Sequence, residues 1–218
     1  IYYISYFVEI MNQKNSLGLD NCFKDLADPI ILFKEWFNEA KKTEINDPNA
    51  VALATADKKG FPDARMVLLK NFSSKGFIFY TNFNSKKSTD LKDNPNAALC
   101  FHWKSLLRQI RILGKILKVS DKEADEYFAT RSYGSRIGAW ASKQSSILKN
   151  RDELYKSIKD YKKKYQIENN VPRPDYWSGW NLNPNIIEFW LDGEDRIHQR
   201  LKYIKKDNGN WDKFLLNP

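Results

Sequence analysis

The chain is poor in the residues that build metal and redox centres. Its 218 residues include only two cysteines, Cys22 and Cys100, and two histidines, His102 and His198. The cysteines are far apart and show no metal or Cys-x-x-Cys spacing. A zinc site is therefore not expected, and a reduced, cytoplasmic chain is the simplest reading. No apolar run is long enough to span a bilayer, so no membrane association is expected. The opening stretch IYYISYFVEIM is apolar but short. It has neither a basic n-region nor a small-residue cleavage site, so it does not read as a signal peptide. The first residue is not Met, and Met11 is a candidate natural start. Internal repeats and low-complexity linkers are also missing.

Hydrophobic residues, by contrast, make up 42% of the chain and aromatics 14%, the composition of a folded globular protein. The formal charge is +9, which permits binding to nucleic acid or to small phosphorylated ligands. The basic residues are scattered and no nucleic-acid-binding motif is present, so no nucleic-acid partner is expected. The densest run, KSIKDYKKKYQ (156–166), reads as a solvated helix face.

Asp28-Pro29 is a strong helix start, with the acid as N-cap and the proline in the first turn. The following IILFKEWFNEAKK places Phe33, Trp36, Phe37 and Ala40 on one core-facing stripe. Strand patterns then occupy 50–57, 64–72, 76–83, 97–103 and 108–120, the first three joined by glycine-bearing turns. Ser120 and Glu123 form a capping box for a helix, and SRIGAWAS and 151–166 also read as helical. VPRPDYWSGW reads as a break, after which strands return near 185–190, 196–204 and 211–216. Strands come first, helices are inserted, and strands close the chain. The expected fold is α+β, an antiparallel barrel or sandwich with flanking helices over 28–218, preceded by an N-terminal segment, 1–27.

Several clusters have chemical potential. In NSKKSTDLKDNP, Ser85 is placed to cap a short helix whose first turn holds Lys86 and Lys87. Cations there oppose the helix dipole, and a bound phosphate reverses that penalty. Taken alone, the stretch reads more simply as an exposed, screened turn in a Lys-rich chain. Tyr127, Arg131 and Ser135 recur at i, i+4 and i+8 and share a face on a continuous or gently bent helix. Together they suit a phosphate clamp, or else a packed Tyr beside a helix-end Arg. Arg65 and Lys70 flank the strand ARMVLLK and face opposite sides. SKQSS (142–146) is polar but unspecific. In DRIHQR, Arg196, His198 and Arg200 point the same way at strand period, and Trp190 precedes them. Such a trio needs an anion against it, or acids such as the adjacent Glu194 and Asp195.

The segments ARMVLLK, GFIFYTNFNSKK, NPNAALCFHW, RQIRILGK, IGAWASKQSS, YWSGW and IEFWLDGEDRIHQR, in that order, resemble the pyridoxine/pyridoxamine 5′-phosphate oxidase family from about Asp28 onward. The resemblance implies a split β-barrel and a homodimer with one FMN per subunit at the subunit interface. It implies oxidation of pyridoxamine or pyridoxine 5′-phosphate to pyridoxal 5′-phosphate, with O2 as acceptor and H2O2 as product. By the same resemblance, Arg65, Met66, Val67, Leu68, Leu69 and Lys70 form an FMN-binding strand, and Lys70 also reaches the substrate phosphate. Tyr80, Thr81, Lys86 and Lys87 match FMN-phosphate positions. Gln109, Gln144 and Ser145 match polar FMN contacts, and Trp190 and Arg200 match contacts to the flavin rings. Tyr127, Arg131 and Ser135 match the substrate-phosphate clamp, and Arg196 and His198 match the catalytic pair over the substrate ring. The departures are the MNQKNSLGLD stretch, which lacks the family's N-terminal Arg and Tyr, and Ser132, Arg136 and Gln199. A related split-barrel flavin oxidoreductase of the phenazine-pathway type is the alternative. The retained clamp argues against it, because an unphosphorylated substrate has no use for one.

Overall fold

In the computed structural model, which describes residues 23–218, helix α1 (Pro29–Thr43) starts where the Asp28 carboxylate accepts the Ile30 N–H at 2.8 Å. Cys22, Met11 and the MNQKNSLGLD stretch lie outside the described residues. The α1 stripe packs as its spacing predicts. Phe33 is fully buried and meets Phe72, Phe77 and Phe101 edge-on, while Trp36 meets Phe189. Truncating a ring at such a position costs about 3–5 kcal/mol.

This helix covers one face of a nine-stranded sheet in which every pairing is antiparallel. Its strands are β1 (Ala50–Ala56), β2 (Pro62–Leu68), β3 (Asn71–Ser73), β4 (Gly76–Asn82), β5 (Asn96–Trp103), β6 (Arg108–Lys118), β7 (Trp177–Leu191), β8 (Gln199–Lys205) and β9 (Trp211–Leu216). They follow the order β2-β1-β5-β6-β7-β4-β3, and β8 and β9 branch from β7. The architecture is the expected α+β split barrel. Helix α2 (Lys86–Asp93) follows β4. Helices α3 (Asp121–Ala129), α4 (Tyr133–Ala141) and α5 (Arg151–Lys164) lie between β6 and β7.

Strand β7 corrects the sequence reading. It begins at Trp177, inside the segment read as a break. Residues 177–180 are all buried, so they show no alternation to reveal a strand. Its first half pairs with β4 and its second half with β8, and β6 runs along the other side. Pro184, which has no N–H to give, sits at the changeover, where the β6 register shifts at Leu113/Gly114. The last stretch is corrected too: 196–198 lies outside the sheet, and β8 begins only at Gln199.

Candidate active site

Two cations are drawn out of water and make no ion pair among the described residues. Lys87, in the first turn of α2, is 8% exposed. Its Nζ donates only to the hydroxyls of Thr81 (3.2 Å) and Ser85 (3.1 Å). Burial first, and then the charge of Arg65, holds its pKa below the usual lysine value. Ser85 occupies the N-cap position, but its hydroxyl donates to the Asn82 carbonyl at 2.7 Å instead of capping the helix.

The second cation, Arg131, lies between α3 and α4. Its guanidinium carbon sits 4.6 Å from the Trp177 ring centroid and 5.5 Å from that of Phe128. Nη1 is buried without a hydrogen-bond partner, and burial lowers the pKa. The continuous or gently bent helix on which Tyr127, Arg131 and Ser135 would share a face is not observed. Helix α3 ends at Ala129, and Ser132 starts α4, accepting the Ser135 N–H at 3.4 Å and donating to Ser135 Oγ at 2.9 Å. The three residues still converge, through the break and not along one face.

Both cations line one cavity of about 680 Å³, the size of a pocket for a drug-sized ligand. Met66, Val67, Leu68 and Lys70 supply one wall, Tyr80, Thr81 and Lys87 another, and Tyr127, Arg131, Ser135 and Gln144 a third. Thr81 Oγ1 donates to Gln144 Oε1 at 3.3 Å, tying two of these walls together. Ser142, the first residue of the SKQSS stretch, also lines it, as do Trp177, Asn82, Ser132, Gly138 and Ala139, which the sequence did not bring forward as site residues. The signal for the helical ones is the i, i+3, i+4, i+7 stripe of Ser135, Gly138, Ala139 and Ser142. Tyr80 stacks on Tyr127 (3.9 Å, 13°) and on Trp177 (5.4 Å, 6°), and burial pushes its phenol up to about 12. Gly179, paired with Tyr80, makes room for the ring: a Cβ there would lie 2.8 Å from it.

The other expected residues do not line this cavity within one chain. Arg65 is turned to Thr55 Oγ1 (2.8 Å) and the Leu53 carbonyl (3.2 Å) and pairs with Asp63. Leu69 belongs to the core. Lys86 turns outward and pairs with Asp90. Ser145 is exposed, with φ 69°. Gln109, Trp190 and Arg200 stand side by side across β6, β7 and β8. The same-face reading of Arg196, His198 and Arg200 fails. Glu194–Arg196 is a 3-10 turn with Asp195 at φ 53° and Arg196 at φ 65°, which breaks strand period. The neutralising acids are not Glu194 and Asp195. Glu188, 6% exposed, takes Arg200 on one oxygen (2.7 and 3.0 Å) and Arg111 on the other (3.3 Å). Asp192 lies 2.9 Å from His198 Nδ1. Arg196 is exposed and makes no ion pair among the described residues.

The family described as Pyridoxamine 5'-phosphate oxidase matches residues 37–165. That described as Pyridoxine 5'-phosphate oxidase C-terminal dimerisation region matches 177–218. A protein of Pelagibacter ubique named pyridoxine/pyridoxamine 5′-phosphate oxidase is 67% identical over 208 residues, which is 95% of this chain and 100% of that one. One of the same name from Allorhizobium ampelinum is 51% identical over 197 residues, covering 90% of this chain and 95% of the relative. This chain belongs to the pyridoxine/pyridoxamine 5′-phosphate oxidase family. It is therefore an enzyme of oxidoreductase type. Among solved structures, PhzG from Burkholderia lata in complex with tetrahydrophenazine-1-carboxylic acid superposes with a TM-score of 0.83 at 30% identity. That match covers 89% of this chain and 94% of PhzG.

The departures from the pattern of the pyridoxine/pyridoxamine 5′-phosphate oxidases lie in three settings. Ser132 is the N-cap of α4. Arg136 is 7% exposed, and its Nε is buried without a partner. Gln199 pairs with Leu191 at the start of β8. Among the described residues, no helix is long and apolar enough to cross a membrane.

Proposed function

We propose that the chain oxidises pyridoxamine 5′-phosphate or pyridoxine 5′-phosphate to pyridoxal 5′-phosphate, with FMN as cofactor and O2 as acceptor. The observation that carries this reading is the pair of desolvated cations, Lys87 and Arg131, on two walls of one cavity, neither of them in an ion pair among the described residues. A cation kept out of water with only neutral partners is stabilised by an anion, and two such cations suit two phosphates.

The residues present fit FMN. Lys87, Thr81 and Gln144 would hold its phosphate end, and Met66, Val67, Leu68 and Lys70 would hold the rest beside Tyr80. Arg131, Ser135, Tyr127 and Lys70 would take the substrate phosphate. Gln109, Trp190 and Arg200 would reach the flavin from a second copy of the chain in a homodimer, and Arg196 and His198 would lie over the substrate ring. The match of 177–218 to a dimerisation region supports that arrangement.

When bound, FMN supplies the two-electron acceptance from substrate and the return of those electrons to O2 as H2O2. The chain supplies position and charge. Arg131 and the Ser135 hydroxyl fix the phosphate, so the reacting carbon of the substrate is held at one place. The stacked rings of Tyr80, Tyr127 and Trp177 keep water from the wall behind it. Arg196 meets the electron-rich phenolic oxygen of the pyridine ring, and His198 presents a nitrogen for a proton. The likeness to PhzG leaves a phenazine-type substrate as the competing reading. The cation pair favours a phosphorylated one.

Titration with FMN, followed by peroxide release on adding pyridoxamine 5′-phosphate, tests the proposal. Flavin uptake with substrate-dependent peroxide is the expected result. A chain that binds no FMN overturns the reading, and flavin binding without peroxide from either B6 phosphate transfers support to the phenazine type.

A further inference from the structure

His198 Nδ1 has two neighbours that make opposite demands on it. The Asp192 carboxylate lies 2.9 Å away and needs a proton on that nitrogen. The Gly193 N–H lies 3.3 Å away and needs a lone pair there. A ring nitrogen cannot meet both at once. The carboxylate is the nearer neighbour and carries the charge, and a bare Nδ1 would set its lone pair against that oxygen, so the pair favours a proton on Nδ1 over the weaker 3.3 Å contact from Gly193. In a neutral ring, a proton on Nδ1 leaves Nε2 with its lone pair.

The loop is built to bring this pair together. The Asp192 N–H donates to the Leu107 carbonyl at 3.0 Å, which anchors the acid to the β5–β6 connection. Gly193 then folds so tightly that a Cβ would lie 2.2 Å from the Ile197 carbonyl oxygen. The Ile197 N–H closes on the Glu194 carbonyl at 2.9 Å. Asp195 and Arg196, both at positive φ, complete a turn that returns the chain to His198 beside Asp192. The Trp190 ring, 4.6 Å from the imidazole, bounds its other side. Two consecutive non-glycine residues at positive φ are a strained arrangement, found where the surroundings over-determine it.

We propose that Asp192 is a positioning residue: it holds His198 in the Nδ1–H tautomer and fixes the ring so that Nε2 is the atom offered to substrate. The inference rests on the role proposed above for His198, but its structural half stands without it. An unrestrained neutral histidine favours the other tautomer, with the proton on Nε2, so the carboxylate changes which chemistry the ring can do. With Nε2 bare, His198 accepts a hydrogen bond or a proton from the substrate. With Nε2 protonated, it only donates.

Nitrogen-15 NMR of the imidazoles in the full-length, flavin-loaded chain tests this, and two histidines make the assignment tractable. Spectra at about pH 9 keep an ordinary imidazole neutral. The expected result is a protonated Nδ1 and bare Nε2 for His198, lost in Asp192→Ala and kept in Asp192→Asn, whose side-chain oxygen still accepts. In turnover, Asp192→Ala should lower kcat by about tenfold or more, leave KM for pyridoxamine 5′-phosphate within about twofold, and leave FMN affinity unchanged. Asp192→Asn should recover most of kcat. A wild-type His198 with its proton on Nε2, or a tautomer unmoved by Asp192→Ala, overturns the proposal whatever the enzyme's substrate. A clean tautomer switch with no turnover in any form of the chain counts against the B6 reading instead.

Discussion

Arg131 lies over the ring of Trp177, its guanidinium carbon 4.6 Å from the centroid, with Nη1 buried and unpartnered. The face of an indole eases the desolvation of a cation but does not replace a hydrogen-bond acceptor. The site therefore holds binding energy in reserve for an anion. Arg131→Met is expected to raise KM for the phosphorylated substrate roughly 10- to 100-fold, the worth of about 1.5–3 kcal/mol for a hydrogen bond to a charged group. The same variant should melt no lower than the parent in the absence of ligand, since it removes a cation that is buried without an acid. A lower melting temperature with unchanged KM would mean that Arg131 serves packing alone.

Lys87 gives the FMN affinity a pH dependence of known sign. Its pKa is held below the ordinary 10.5 by burial and by Arg65. A phosphate beside it favours the charged form, so binding takes up a proton wherever free Lys87 has lost its own. Affinity should therefore fall as pH rises through the lowered pKa, at a pH below 10.5. Lys87→Gln should weaken FMN binding about tenfold or more at neutral pH and flatten that fall. Fluorescence titration of FMN across the alkaline range reads both effects.

Gly179 is where the aromatic stack depends on a missing side chain. Gly179→Ala places a Cβ 2.8 Å from the Tyr80 ring and 2.9 Å from Val119 Cγ2. The cost should be about 1–3 kcal/mol of stability, the usual range for overpacking. Because Tyr80 and Trp177 both line the cavity, FMN affinity should drop with it. A variant as stable as the parent, with unchanged FMN affinity, would show that the stack tolerates displacement.

Much of this was legible along the chain, because the signals concerned are local. The Asp28-Pro29 start and the Phe33–Trp36–Phe37–Ala40 stripe give α1 outright, and the order of the motifs brings forward Lys70, Lys87 and Arg131, which line one cavity. What failed was non-local. The start of β7 was missed because residues 177–180 are buried on both faces of the strand, which erases alternation. Whether one helix carries Tyr127, Arg131 and Ser135 stayed open because nothing in RSYGS announces that Ser132 will cap a new one. The acids that meet Arg200 and His198 were sought next to them in sequence. One, Glu188, comes from the neighbouring strand, and the other, Asp192, from the far side of a tight turn. Non-glycine residues at positive φ, such as Asp195 and Arg196, leave no trace in a period-2 pattern.

The core carries an alkaline liability. The Tyr203 phenol is fully buried, donates to the Leu26 carbonyl at 2.8 Å, and is pushed up to about 12 by burial. The unfolded chain ionises this group near pH 10, while the folded chain resists until about 12. Its contribution is thus complete below about pH 10 and is lost as pH rises from there to about 12. Tyr80, also at about 12, adds to the same fall. Denaturation followed from pH 8 to 12 should show stability dropping over the upper half of that range. Tyr203→Phe should be about 1 kcal/mol less stable at neutral pH and fall less steeply. An identical slope in the variant would contradict the assignment.

The central claim is that Lys87 and Arg131 build two phosphate sites within one cavity. It is tested most directly by comparing peroxide release from pyridoxamine 5′-phosphate with that from its dephosphorylated form, pyridoxamine, in the FMN-loaded chain and in Arg131→Met. The account predicts turnover of the phosphate ester at kcat/KM at least about a hundredfold above that of the free amine, with the gap largely closed in the variant. Equal turnover of the two amines by the parent chain would contradict it.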